Sequence, residues 1–356
     1  MKIEEQSMTL RAGDWVQVRS KEEILSTLDA NGRLDGMPFM PQMFKSCDQR
    51  LQVLSRAHKT CDTVSGAKTG LWLGRRLPSA VHLDTRCDGQ AYGGCQAGCL
   101  IFWKEAWLKP LDQHGAASAE RGPTPLTASA GCTEQAVWDA TKSRDQIPEK
   151  GIRYACQATE LPDYTQPQKW WDPRQYAEDV ASRNISWAQM FRSFLYFAFA
   201  HGTMAIKPRR GRPARWLYDR VQSLWGGVPF PRRGGELASG KDAPIAYLQL
   251  KPGEIVRIRS YKEILATIDK HCQNRGMGFD AEMVPFCGKV FRVRTRVEKF
   301  IDERNGYLRR MKTPAVILEG VYCQSRYSEA RVFCPRRIFP WWREVWLERV
   351  PEDAKG

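Results

Sequence analysis

The chain has 356 residues, of which 42% are hydrophobic, and a formal net charge of +15 at pH 7. This length and apolar content exclude a disordered chain and predict two or three globular domains. The excess of Lys and Arg predicts an anionic partner, and charge alone leaves nucleic acid, an anionic small molecule and an anionic membrane surface as candidates.

The sequence shows no signal-peptide pattern and no run of 18 apolar residues. We therefore expect a cytoplasmic protein without a transmembrane segment. It contains 11 cysteines. In a reducing compartment, thiols more often bind a metal, perform chemistry or fill the core than form disulfides.

The first predicted elements belong to a segment that occurs twice. Residues 10–29, LRAGDWVQVRSKEEILSTLD, align with residues 250–269, LKPGEIVRIRSYKEILATID, at a constant offset of 240 positions. The match continues without a gap to Lys59 and Lys299, and after small insertions FWKEAWL at 102–108 matches WWREVWL at 341–347. The sequence therefore contains an internal duplication, with copies of roughly 100 residues each.

Each copy predicts a strand, a helix and then three more strands. The segment GDWVQVRS alternates like a half-buried strand, and Ser20 with Glu23 forms a capping box before a short helix, as Ser260 with Glu263 does in the second copy. The later strands are predicted in RLQVLSRA, AVHLDTR and LIFWKEAWL, and in FRVRTRV, AVILEGV and WREVWLERV. This pattern predicts an α+β protein with two homologous β-rich lobes, each an SH3-like barrel or roll.

The region between the copies differs in character. Residues 112–131 are rich in Ala, Gly, Ser and Pro and predict a linker. A helix is predicted over 133–142, a strand over 150–161 that ends near Cys156, and further helices in 170–202 and 209–227. The predicted domains are a first lobe (1–111), the linker, a mainly helical central region (132–245) and a second lobe (246–356).

A glycine-rich loop in the first copy holds three cysteines. Cys87, Cys95 and Cys99 have the spacing C-x7-C-x3-C, and Cys61 lies one strand earlier. Thiolates that bind one centre must converge, and glycines at 89, 93, 94 and 98 allow backbone N–H groups to turn toward sulfur. We therefore predict that Cys61, Cys87, Cys95 and Cys99 bind an iron–sulfur cluster, such as [4Fe–4S].

Two alternatives remain open for these thiols. Zinc is the first, although no C-x-x-C pair occurs and C-x7-C lies outside the usual knuckle spacing. The second is that the thiols bind no metal and pack as small hydrophobic side chains. Cys132 and Cys156 lie outside both copies, and either could replace Cys61 as the fourth ligand, act as a resolving or nucleophilic thiol, or fill the core.

The duplication provides an internal comparison. Cys87 and Cys95 match Cys323 and Cys334, whereas Cys61 and Cys99 match Ile301 and Ile338. We therefore expect the metal site in the first copy only. The matched pair Cys47 and Cys287 predicts buried core thiols.

Other polar motifs are weak. No H-E-x-x-H, G-x-S-x-G, Walker or dinucleotide motif occurs. His58 lies three residues before Cys61 and is predicted to be a surface residue rather than a ligand, because the second copy has Glu298 there. Asp62 and Asp88 are predicted to be turn residues rather than proton relays.

Two segments bear on partners. The sequence KPRRGRPAR at 207–215 resembles an AT-hook, which binds the DNA minor groove in an extended form, and is otherwise a solvated basic loop. The segment FLYFAFA at 194–200 is too short to span a bilayer; it predicts a buried helix or, with the basic run that follows, contact with an anionic membrane surface. The tryptophans that recur near 103–107 and 341–346 predict barrel core rather than base stacking.

The segments KPGEIVRIRSYKEIL, CDGQAYGGCQAGCLIFWKEAWL and YACQATELPDYTQPQKWWDPRQY together resemble a bacterial protein family with an internal duplication and a Cys-rich CDGxxxGGCQAGC segment. The resemblance covers nearly the whole chain. It implies no catalytic residues, and it suggests a setting in the biosynthesis of sugars or secondary metabolites.

These observations together predict a cysteine-ligated iron–sulfur protein, or a zinc protein, that acts in a biosynthetic pathway through redox or Lewis-acid chemistry on an anionic substrate. Whether it is an enzyme stays open. The alternative is a non-catalytic nucleic-acid-binding or scaffold protein with a structural metal.

Overall fold

A computed structural model describes residues 10–65, 74–111, 131–147, 149, 151–205, 212–224, 226–327 and 332–350. The strands of its main sheets pair in antiparallel fashion, and helices accompany them, so the protein belongs to the α+β class.

The described chain forms two compact units. The first contains the residues up to Ser186 together with Lys299–Arg310 and Phe333–Arg337. The second contains Trp187–Glu298, Met311–Val332 and the residues from Ile338 onward. Residues 132–186, which the sequence assigned to a central region, thus belong to the first unit.

The first unit is built on a five-stranded antiparallel sheet and a smaller three-stranded sheet. Its strands in chain order are β1 (Trp15–Val18), β2 (Arg33–Leu34), β3 (Met37–Pro38), β4 (Arg50–Arg56), β5 (Lys59–Cys61), β6 (Gly74–Arg76), β7 (Ala80–Arg86), β8 (Leu100–Lys104), β9 (Leu108–Pro110) and β10 (Gln166–Gln168). The large sheet has the order β8-β7-β4-β1-β9, and the small sheet has the order β10-β6-β5.

The second unit contains a five-stranded sheet of its own. The later strands are β11 (Ile255–Ile258), β12 (Gln273–Asn274), β13 (Met277–Gly278), β14 (Val290–Arg296), β15 (Lys299–Ile301), β16 (Leu308–Arg310), β17 (Ala315–Leu318), β18 (Trp342–Arg343) and β19 (Leu347–Arg349). The sheet has the order β18-β17-β14-β11-β19. The hairpin of β15 and β16 belongs to the first unit.

The two large sheets share local geometry at the offset of 240 residues. Trp15 faces Gln52 across one sheet, as Ile255 faces Arg292 across the other. In each unit the indole N–H of a buried tryptophan donates to a threonine hydroxyl, from Trp107 to Thr27 at 3.1 Å and from Trp346 to Thr267 at 2.9 Å.

The helices follow the predicted ones closely. They are α1 (Lys21–Thr27), α2 (Glu134–Asp139), α3 (Arg174–Ala181), α4 (Trp187–Ala205), α5 (Arg212–Ser223) and α6 (Tyr261–Leu265). Both predicted capping boxes are confirmed, since the side chains of Ser20 and Ser260 accept from the N–H groups of Glu23 and Glu263. No described helix has both the length and the apolar character that crossing a bilayer requires.

One prediction needs correction, and another falls outside the described residues. The strand predicted over 150–161 is reduced to isolated bridges at Arg153 and Tyr154, because the chain turns at Cys156, whose carbonyl accepts from the N–H of Glu160. Of the predicted linker 112–131, only residue 131 is described.

Each unit has its own hydrophobic core. Trp103 and Trp107 are fully buried in the first core, and Trp342 and Trp346 in the second, as the sequence predicted. Cys47 and Cys287 pack against these cores as predicted, but they are half-buried rather than buried.

Candidate metal centre

The Cys-rich segment is the connection of a β-hairpin. Strand β7 ends at Arg86 and β8 begins at Leu100, and the N–H of Cys87 donates to the carbonyl of Cys99 at 2.8 Å. This bond continues the antiparallel ladder by one step beyond the paired residues Arg86 and Leu100. Cys87 and Cys99 are therefore held at the two ends of one loop.

The loop folds back so that its middle cysteine returns to its start. The Asp88 carboxylate accepts from the N–H of Gln90 at 3.1 Å, which makes Asp88 a turn residue as predicted. Gly89 has a φ of +70°, and a Cβ at this position would lie 1.8 Å from the carbonyl oxygen of Cys95. Only glycine permits this approach, which places Cys95 near Cys87.

A second segment, residues 154–159, packs on the Cys-rich loop, although it lies outside the first copy of the duplicated sequence. The N–H of Tyr154 donates to the carbonyl of Gly306 at 2.8 Å, and a Cβ on Gly93 would lie 2.6 Å from the Tyr154 hydroxyl. Two residues later, Cys156 begins a turn in which its N–H donates to the Thr159 hydroxyl at 2.9 Å. Close packing of this segment on the loop thus positions Cys156.

Four cysteines line one small cavity within the first unit: Cys87, Cys95, Cys99 and Cys156. The cavity has a volume of about 30 Å³. Its remaining lining is mainly apolar and includes Met40, Tyr92, Phe102 and Ile301, together with the buried Arg336. Such a lining excludes bulk water from the sulfur atoms.

Burial controls the protonation of these thiols in the metal-free chain. Desolvation raises the pKa of Cys156 to about 11. It also raises the pKa values of Cys87, Cys95 and Cys99 above the ordinary thiol value. The neutral thiol is therefore the stable form of each until a cation replaces the proton.

Backbone N–H groups oppose this effect at three of the four sulfurs. Cys87 receives a hydrogen bond from Gly89, and Cys156 receives bonds from Ala158 and Thr159, each of which lowers the thiol pKa. The N–H of Ile301 lies 3.4 Å from Cys95 Sγ. Donors of this kind stabilise sulfur that carries negative charge.

A buried cation lies on the Cys99 side of the cavity. The Arg336 guanidinium bonds both Glu303 carboxylate oxygens at 3.0 and 3.1 Å and the Thr63 hydroxyl at 2.8 Å. Arg336 is 2% exposed. Burial and the Glu303 charge raise the pKa of Cys99, and the Arg336 charge opposes them.

The other predicted ligands lie elsewhere in the first unit. Cys61 ends β5, does not line the cavity, and donates its N–H to Cys334 Sγ at 3.2 Å. Cys132 packs in the core just before α2, with its thiol 3.4 Å from the Thr133 carbonyl. Among the described residues, no three His, Cys, Asp or Glu side chains approach closely enough to hold a single metal ion.

The prediction that His58 is a surface residue is wrong. His58 is 3% exposed, and its Nε2 lies 3.2 Å from both the Gln175 carbonyl and the Asp179 carboxylate. The comparison with Glu298 failed because α3, which covers His58, comes from outside the duplicated segments. Asp62 accepts from the N–H groups of Val64 and Ser65 and is a turn residue, as predicted.

A second, larger cavity of about 630 Å³ lies across the same turn. Ala155 and Glu160 line it, whereas Cys156, Gln157 and Ala158 line the cysteine cavity. Its charged lining is mixed, with the basic residues Arg33, Lys142 and Arg144 and the acidic residues Asp139, Asp145, Glu160 and Asp163. This balance favours a polar molecule with groups of both kinds over a simple anion.

Sequence reasoning missed Ile301, Glu303 and Arg336. They lie in the second copy, and no local pattern marks their return to the first unit. Neither a protein-family model nor a curated protein matches this sequence.

Proposed function

We propose that the first unit binds an iron–sulfur cluster through Cys87, Cys95, Cys99 and Cys156. The observation that carries this proposal is the convergence of four cysteines, from two separate segments, on one cavity with an apolar lining. Four thiolate ligands are the usual set for both [2Fe–2S] and [4Fe–4S] clusters. Cys156 replaces Cys61 in the predicted ligand set.

One observation favours a cluster over the zinc alternative. Backbone N–H groups donate toward the sulfurs of Cys87, Cys95 and Cys156. Such donors suit a centre whose negative charge is spread over several sulfurs.

The chain's residues would have distinct roles in this centre. The cysteines would hold it, the N–H groups of Gly89, Ala158 and Ile301 would stabilise negative charge on sulfur, and Phe102 would help to exclude water. When bound, the cluster would supply one-electron redox or Lewis-acid chemistry.

We place the substrate in the cavity of about 630 Å³, because the turn at 155–160 contributes residues to the lining of both cavities. The mixed charges of this cavity support a polar substrate with groups of both charges rather than the simple anion expected from net charge.

The proposal includes the finer interpretation of the fold. We infer that the two five-stranded sheets are copies of one β-rich, SH3-like lobe, supported by their matching strand order and register. The second copy has Ile338 in place of Cys99 and would carry no site.

The test is metal and acid-labile sulfide analysis of protein purified without oxygen, with Cys156→Ser and Cys61→Ser as a matched pair. The proposal predicts iron and sulfide in the wild type, their loss with Cys156→Ser and their retention with Cys61→Ser. Loss of iron and sulfide in Cys61→Ser, with their retention in Cys156→Ser, would overturn the proposed ligand set. Stoichiometric zinc without sulfide would support the zinc alternative, and a chain without metal would contradict both.

The nucleic-acid alternative has its own test. It requires salt-dependent binding of duplex DNA that weakens when Arg209, Arg210 and Arg212 are replaced. Arg209 and Arg210 lie outside the described residues, and Arg212 begins α5.

A further inference from the structure

Two successive helices of the second unit expose large apolar side chains. On α4 these are Trp187, Phe191, Phe194 and Leu195; on α5 they are Trp216, Leu217 and Val221, and Leu224 directly follows α5. The α4 residues recur at i, i+4, i+7 and i+8, which places them in one stripe along the helix. Trp187 is 70% exposed and Leu224 is 77% exposed.

The opposite sides of these helices already serve the core of their unit. Tyr196 and Ala200 of α4 are buried in a cluster with Phe230. Tyr218 of α5 stacks on Phe199 with 5.0 Å between ring centroids, and the Arg215 guanidinium donates to the Thr203 carbonyl at 3.1 Å. The exposed stripes are therefore additional apolar surface on helices whose place in the unit is fixed.

The charge around these stripes is strongly one-sided. Among the described residues between 187 and 224, Arg192, Arg212, Arg215 and Arg220 are basic and Asp219 alone is acidic. That carboxylate is paired with Arg233. Arg192 is exposed next to Phe191, and the guanidinium of Arg220 lies 5.6 Å from the centre of the Trp216 ring.

We propose that α4 and α5 form a docking surface for an anionic lipid bilayer, in which the helices lie at the headgroup level. A helix with tryptophan, phenylalanine and leucine on one side and arginine beside them binds such an interface by apolar burial and by attraction to anionic lipids. Basic residues near the surface add an attraction to anionic lipids that weakens with salt. Nucleic acid would use the arginines but would leave the aliphatic side chains Leu195, Leu217 and Leu224 without a partner.

The experiment is flotation of the full chain with vesicles of phosphatidylcholine alone and of phosphatidylcholine with phosphatidylserine. Binding is expected only with phosphatidylserine, and it should weaken as salt rises. The double variant Trp216→Ser/Leu217→Ser should reduce partitioning by more than roughly tenfold, since both side chains lose apolar burial in the membrane. Trp170→Ser/Trp171→Ser, which removes exposed tryptophans of the first unit, should leave it unchanged.

A second variant guards against misfolding. Arg192→Glu/Arg220→Glu changes only exposed charges and should abolish the preference for phosphatidylserine while circular dichroism stays the same. Equal binding to both kinds of vesicle, or to neither, would overturn the proposal. So would a dimer in sedimentation analysis that Trp216→Ser/Leu217→Ser dissociates, because the stripes would then serve a second copy of the chain.

Discussion

The backbone N–H of Ile301 lies 3.4 Å from the sulfur of Cys95, and it can donate a hydrogen bond there. A second contact exchanges the roles of the two copies: the N–H of Cys61, in the first copy, lies 3.2 Å from the sulfur of Cys334, in the second. Cys61 matches Ile301 and Cys95 matches Cys334 in the duplicated sequence. Each copy thus provides a strand whose amide faces a cysteine of the other copy, and all four residues belong to the first unit.

The loop geometry around Cys95 can be tested at two glycines. Gly89→Ala should reduce the retained metal severely, because its Cβ would meet the carbonyl of Cys95 at 1.8 Å. Gly94→Ala is the matched control, since Gly94 has a similar φ of +78° but open space around its Cβ. It should cost about 1 kcal/mol of backbone strain and retain the metal. Metal content per folded chain is the measurement, and equal losses in the two variants would argue against the close approach.

His82 makes the first unit sensitive to acid. Burial lowers its pKa to about 3, while its Nδ1–H donates to the Ile101 carbonyl at 2.8 Å. The unfolded chain takes up a proton near pH 6.5, whereas the folded chain keeps His82 neutral. Its contribution to stability is therefore full above that pH and is lost as the pH falls toward 3.

The expected loss from His82 is about 1.4 kcal/mol per pH unit below the unfolded pKa. Denaturant unfolding at pH 7.5 and pH 5 measures it. His82→Leu should be less stable than the wild type at pH 7.5, because a buried hydrogen bond is lost, but it should lose less stability on acidification. An unchanged pH dependence in this variant would contradict the assignment.

Arg336 should contribute to stability through its ion pair with Glu303, in which the guanidinium is buried and the carboxylate is half-buried. Arg336→Met leaves the Glu303 carboxylate without its bidentate partner and should cost about 3 kcal/mol of unfolding free energy. The double variant Arg336→Met/Glu303→Gln should recover part of this loss, since it removes the uncompensated charge. Additive losses in a double-mutant cycle would show that the two residues do not interact.

The duplication provides a matched pair of lysines for a further test. Lys59 is 4% exposed and bonds the Asp179 carboxylate at 2.5 Å, whereas Lys299 at the corresponding position is partly exposed. Lys59→Met should destabilise the chain by about 3–5 kcal/mol, because Asp179 stays buried without its ammonium partner. Lys299→Met should cost less than about 1 kcal/mol. Thermal unfolding of the two variants distinguishes the cases, and equal effects would contradict this interpretation.

The strands, the capping boxes and the cysteine loop follow from local patterns that the sequence displays. The ladder bond between Cys87 and Cys99 and the turn at Gly89 depend on residues close in sequence, so their convergence could be predicted. The sequence could indicate Cys156 only as an alternative ligand. Its position depends on packing between the turn that it begins and residues near Gly306.

Arg336 could not be predicted as a neighbour of Cys99. Its position depends on the return of residues 333–337 to the first unit, which is a tertiary event without a local signal. The burial of His58 was missed for a related reason, since the covering helix α3 has no counterpart in the second copy.

The central claim is that four sulfurs from this chain surround a cluster. X-ray absorption at the metal edge of protein purified without oxygen tests it most directly. The account predicts iron with a first shell of sulfur only, at about 2.3 Å as for other metal–thiolate bonds, and a second shell of nearby iron. A first shell of nitrogen and oxygen, or a sulfur-bound zinc ion with no metal neighbour, would contradict it.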